Sequence, residues 1–138
     1  MPNAEIFMPE KLLYSIVESP SHPVFTALYT RLGFTERRFS TQRKAISELK
    51  TTPAEIVVAE FFYGFGNNYA GVNVSNLDVM LMSLQRYAPA TRVLVLAQKD
   101  QYPYLHKLEQ LFTLHQVIPL PITEPQMQQR LLDYKTSP

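Results

Sequence analysis

Two glutamates stand where short apolar runs end, and carboxylates at neighbouring strand ends are one way to build an acid and a base. Glu18 follows Leu12-Leu13-Tyr14-Ser15-Ile16-Val17, and Glu60 follows Ile56-Val57-Val58-Ala59. Brought together, the pair would repel and one carboxyl would keep its proton to higher pH, as hydrolytic pairs require. A neighbouring cation such as Lys99 would instead leave them a neutralised, solvated pair. Ser19, Ser21 and His22 add hydroxyls and an imidazole beside Glu18, but no G-x-S-x-G elbow exists, and Asp78, Asp100 and Asp133 belong to other segments. His22, His106 and His115 are too scattered for a metal triad, so each reads as a surface or capped histidine.

A third concentration of chemistry is the stretch 61–74, FFYGFGNNYAGVNV, with Gly64, Gly66 and Gly71 beside Asn67 and Asn68. Its spacing is neither G-x-G-x-x-G nor a Walker motif with its lysine, so a phosphate cradle is only weakly signalled. The plainer reading is a loop using Gly and Asn for positive φ. The aromatics Phe61, Phe62, Tyr63, Phe65 and Tyr69 suit either a lid over a small ligand or nucleotide, or anchors for a protein partner. A lid orders when ligand is added; a partner loop stays mobile until the partner arrives.

The elements that must hold these residues alternate in kind. Leu12–Val17, Ile56–Ala59, Val93–Ala97 and Val117–Leu120 are short continuous apolar runs, as strands covered on both faces require. Between them the apolar residues take helical spacing: Phe25, Leu28, Leu32; Ala45, Ile46, Leu49; Leu77, Met80, Leu81, Leu84; Leu105, Leu108, Phe112; Met127, Leu131, Tyr134. Pro23, Pro103 and Pro125 sit near helix starts, and Gly33 is placed for a left-handed cap. Ser75-x-x-Asp78 and Thr123-x-x-Gln126 read as capping boxes. A second strand must fall within Glu36-Arg37-Arg38-Phe39-Ser40, and its polarity suggests a half-covered edge. The pattern is (βα) five times, closed by right-handed crossovers into a three-layer doubly wound parallel sheet. The 61–74 connection is then long for a βα loop, which marks it as functional.

Composition bounds the partners. The 138 residues read as one domain, 1–138, with a core over about 11–135 and loose ends. A formal charge of +1 gives no field for nonspecific nucleic-acid or membrane binding, and no apolar run approaches the ~18 residues of a span. Without cysteine there is no disulfide, thiolate or iron–sulfur chemistry, which suits a cytoplasmic protein, as does an N-terminus with no basic signal region.

Five βα units in this length resemble the receiver domain of bacterial two-component response regulators, over residues 11–135. The resemblance implies the flavodoxin-like strand order 2-1-3-4-5, chemistry at the carboxyl ends of the central strands, and a cis Leu120-Pro121 bond. It also allows a residue-by-residue check. Where the family places adjacent acids for magnesium, this chain reads Val17-Glu18-Ser19-Pro20; where it places the phospho-accepting aspartate, Glu60 stands. The family's Ser/Thr after the fourth strand matches Ala97, and its lysine before a proline matches Leu120 before Pro121. Phosphoryl transfer needs a hard cation and fixed positive charge, which these side chains do not supply. The resemblance therefore implies a non-phosphorylatable pseudo-receiver, not an enzyme, without cofactor or metal, acting in signalling through a protein partner. It nominates Tyr102, Tyr104 and Leu105, with the fifth strand, as the face of a homodimer, with Tyr29 and Arg31 next in line. These aromatics serve equally well as core.

Overall fold

In the computed structural model, which describes residues 11–63 and 75–133, each apolar run is a strand and each helically spaced stretch a helix. The elements are β1 (Lys11–Ile16), α1 (Thr26–Arg31), β2 (Phe34–Phe39), α2 (Gln42–Thr51), β3 (Ile56–Glu60), α3 (Asp78–Tyr87), β4 (Arg92–Gln98), α4 (Tyr102–Glu109), β5 (Gln116–Leu120) and α5 (Glu124–Asp133). A 3-10 turn, Lys99–Gln101, leads into α4. All pairings are parallel and the sheet order is β2-β1-β3-β4-β5, so the doubly wound expectation holds.

The strand types follow from position. β1, β3 and β4 have a strand on each side and helices on both faces, which is why they are apolar without alternation. β2 is an edge, and its exposed Thr35 and Arg38 mark it as one. It starts two residues before Glu36, because Phe34 is buried and pairs with Lys11.

Alternation along each strand sorts the core into two layers. Val57 and Ala59 face α2, α3 and α4, among Tyr14, Leu49, Met80, Leu84 and Leu105. Ile56 and Val58 face α1 and α5, among Leu28, Tyr29, Met127 and Leu131.

The caps are largely as read. Gly33 has φ +92°, the left-handed turn that ends the first helical stretch, and the space where a Cβ would stand is open. At α5, Thr123 N–H donates to Gln126 Oε1 at 2.9 Å and Gln126 N–H returns to Thr123 Oγ1 at 3.3 Å. Ser75 and Asp78 make a related box one turn early: Asp78 Oδ1 accepts from Ser75 N–H and Oγ–H, while Ser75 Oγ accepts from Leu77 N–H. Pro103 and Pro125 stand second in α4 and α5, and Leu120-Pro121 is cis. Among the described residues no helix is long and apolar enough to cross a membrane. Gly64, Gly66, Asn67, Asn68 and Gly71 lie outside the described residues, as do both chain ends and Tyr134.

Candidate functional site at the strand ends

Parallel register sets Ile16 beside Ala59, so the chain leaving β1 passes directly over the end of β3. There it makes a tight turn, closed by His22 N–H donating to Ser19 O at 3.2 Å. The turn aims two hydroxyls at one carboxylate. Ser19 Oγ donates to Glu60 Oε1 at 2.8 Å and Ser21 Oγ to Glu60 Oε2 at 2.6 Å. Glu60 is 1% exposed, although it ends a strand at the rim of the sheet where solvent is otherwise near.

His22 is the residue that the sequence misplaces. The sequence reads it as a surface or capped histidine, yet it is 4% exposed with neither ring nitrogen bonded by a described group, because the Ser19–His22 turn folds its ring against the end of β3. Its Nδ1 lies 3.8 Å from Glu60 Oε1, beyond hydrogen-bond reach, and no described protein group bonds either ring nitrogen. Burial lowers its pKa below the ordinary histidine value, Glu60 opposes that shift, Arg38 adds to it, and Glu36 opposes it more weakly. The ring is therefore neutral at neutral pH. His106 and His115 follow expectation: His106 is exposed beside Glu109, and half-buried His115 accepts Val93 N–H at Nδ1.

Glu18 sits in a second, linked cluster. Its Oε1 accepts from Gln42 Nε2 at 2.9 Å and from Asn76 Nδ2 at 3.0 Å. The same Asn76 amide nitrogen donates to Glu60 O at 2.8 Å, and Asn76 Oδ1 accepts Phe62 N–H at 2.8 Å. Asn76 thus ties the exits of β1 and β3 to the start of α3. Sequence reading missed it, since an asparagine between Ser75 and Asp78 signals only a local turn.

The geometry decides between the chemistries the sequence left open. Both serine hydroxyls donate to a carboxylate and neither bonds the imidazole, so no serine–histidine pair of the triad kind forms. Glu18 and Glu60 are joined through Asn76, which bonds the carboxylate of the first and the backbone carbonyl of the second. No described Lys or Arg pairs with Glu60, and exposed Lys99 has no bond to either glutamate. A magnesium ion would need several free oxygens in octahedral array. Glu60 offers oxygens already held by hydroxyls and Glu18 one held by two amides, so these residues do not fit the ion. Ala97 pairs in register with Pro119 and is buried in the α2–α3–α4 layer, while Leu120 is buried in the opposite layer. Neither brings a donor to Glu60, and Pro121 is exposed.

The nominated interaction face divides by helical position. Leu105, 3% exposed, is core rather than surface, and Tyr102 lies half-buried against the same layer. Tyr104 is 37% exposed and stacks on Tyr63, with ring centroids 3.9 Å apart and planes 16° from parallel. Lys107 Nζ stands 5.5 Å from the Tyr63 ring, and Gln101 Oε1 accepts Tyr63 N–H at 2.9 Å. The reserve site beside Arg31 loses Tyr29, which is 1% exposed in the α1–α5 layer.

No protein-family model and no curated protein sequence matches this chain. Solved structures do. The signal receiver domain of a LuxO repressor protein from Vibrio parahaemolyticus superposes with a TM-score of 0.71 at 12% identity, over 93% of this chain and 92% of that one. The receiver domain of the response regulator AraT from Geobacillus stearothermophilus gives 0.68 at 9%, over 94% and 95%. A streptococcal redox sensor of a family evolved from two-component response regulators gives 0.70 at 14%, over 90% of this chain and 50% of that one. The fold of this chain is thus that of receiver domains.

Proposed function

We propose that this domain is a receiver-type regulatory module that works through protein contacts and does not accept a phosphoryl group. The observation that carries this reading is Glu60: its carboxylate is clamped by Ser19 and Ser21 and sealed from solvent. Alkyl groups stand at Ala97 and Leu120, where transfer calls for a hydroxyl and an ammonium. The acceptor position carries a carboxyl group without phosphorylation, and the domain's signalling state does not depend on a phosphoryl group.

Output then depends on a surface, and the stacked Tyr63–Tyr104 pair under Lys107 offers an aromatic anchor of the kind that interfaces use. The partner in this reading is a second copy of the chain, in a symmetric homodimer, with a further protein downstream in a cytoplasmic signalling route. The competing lid reading loses support at Phe61, which is buried in the core, and at Tyr63, whose ring lies on Tyr104.

Incubation with acetyl phosphate or phosphoramidate and Mg²⁺, followed by intact-mass measurement, will leave the protein mass unchanged. A stoichiometric, acid-labile adduct mapped to Glu60 overturns the reading.

A further inference from the structure

His22 is a buried titratable ring beside the Glu60 carboxylate and part of the turn that clamps it. Glu60 faces it from β3, and Glu36 and Arg38 act on it from β2. Tyr29 of α1, another buried group without a partner, feels the same Glu36 and Arg38. Glu36 is itself engaged, accepting from Ser15 Oγ and from Thr26 Oγ1.

We propose that His22 is a proton-driven release for the Glu60 clamp, so that protonation of the ring opens the segment 17–25 and exposes the Glu60 carboxylate to solvent. An imidazolium has donors at both nitrogens, and no described protein group accepts from either one in the closed site. The Glu60 oxygens already take two hydroxyl bonds, with the nearer oxygen 3.8 Å from Nδ1. The ring is joined to the clamp through the chain. His22 follows Ser21 directly and its own N–H closes the turn onto Ser19, so moving it to water draws both hydroxyl donors off Glu60.

The sign follows from the depressed pKa. The closed form binds the His22 proton less tightly than an open, hydrated form does, so acid favours opening. Closure is complete above the open-state value of about 6.5 and weakens as pH falls from there toward the lower closed-state value. Between those limits each pH unit multiplies the open population by up to about tenfold. The gate does not depend on whether the domain signals through a partner, because it concerns only this carboxylate and this turn.

The full chain tests it. NMR of the imidazole carbons will show His22 titrating below the ordinary histidine value of about 6.5. Hydrogen exchange, corrected for intrinsic rates, will rise several-fold across residues 17–25 between pH 7.5 and 5.5, while the β4 amides stay protected. His22→Gln removes the titration and will flatten that dependence. Should His22→Gln fold poorly, Glu60→Gln serves instead: without the attracting carboxylate the His22 titration in the closed form will move to lower pH, while the acid-driven opening, which sets in at the open-state value, will extend further down the pH scale. A wild-type His22 that titrates at or above about 6.5, an opening that survives His22→Gln, or a His22 titration that Glu60→Gln leaves in place sinks the proposal.

Discussion

Two layers cover the same sheet, and they differ in how many buried polar groups they leave without a partner. In the α2–α3–α4 layer buried polar groups are bonded, with Gln42 Oε1 on α2 the one exception among the described residues. Ser75 and Asp78 bond each other at the start of α3, Thr91 Oγ1 donates to Ala54 O at 2.6 Å, and Tyr14 OH donates to Thr52 O. In and around the α1–α5 layer, the His22 ring and the Tyr29 hydroxyl are buried without partners, and they supply three of the four such atoms among the described residues. A buried polar group left unpaired costs about 1–3 kcal/mol, so a fold tolerates it mainly where something other than stability is served. That layer is also the one beside Glu60. The contrast teaches that the apolar layer is scaffold and outer contact surface, and that the polar one is where the molecule can be switched.

The largest effect expected falls on the outside of the scaffold layer. Tyr104→Ala removes the ring stacked on Tyr63 and will weaken the proposed dimer by about 1–2 kcal/mol, as loss of an interface anchor does. Sedimentation equilibrium reads it. A wild type that is strictly monomeric at about 100 μM, where a dissociation constant near 1 μM gives mostly dimer, removes the interface from the scaffold layer altogether. A dimer indifferent to the substitution moves it to another face.

How much of this was legible beforehand depends on the range of the interaction. The order of elements, the edge strand, the Gly33 cap and the α5 box are local, governed by side-chain period and by bonds three residues apart, and the sequence carries them openly. Glu18 and Glu60 could be placed because apolar runs end at them. Their partners could not. Gln42 reaches Glu18 across 24 residues, Asn76 reaches it across 58, and Ser19 reaches Glu60 across 41. Burial of His22 depends on a turn whose direction is set only once β1 and β3 are side by side. Tyr29 shows the same limit in reverse: its spacing from Phe25 and Leu32 does not say that α1 turns this face fully inward.

The next effect tests the scaffold layer from within. Tyr14 OH donates to Thr52 O beside the Arg37–Glu48 ion pair, with Arg37 close enough to act on the phenol. Tyr14→Phe leaves Thr52 O without that donor and will cost about 1 kcal/mol in urea unfolding at pH 7. An unchanged midpoint would mean that water replaces the hydroxyl freely, and that this layer is no better satisfied than its opposite.

Tyr29→Phe is the smallest effect and the one on which the comparison turns, because its sign is reversed. The two tyrosines are alike in burial, at 0% and 1% exposed, and each stands in one layer of the same core. Burial raises the Tyr29 pKa strongly and Glu36 raises it further, so the phenol stays neutral and the hydroxyl is a desolvated dipole with no described bond. Phenylalanine keeps the ring, including its edge-on contact with Phe25 at 6.5 Å, and discards only the unpaired oxygen. The variant will therefore be more stable than wild type by about 0.5 kcal/mol, since removing an unsatisfied buried group returns its desolvation penalty. Urea unfolding of both variants under one set of conditions gives the difference directly. Opposite signs at Tyr14 and Tyr29 establish the two layers as unlike, whereas a loss of 1 kcal/mol or more at Tyr29 would mean that its hydroxyl is bonded, and that the α1–α5 side is as fully paired as the scaffold across the sheet.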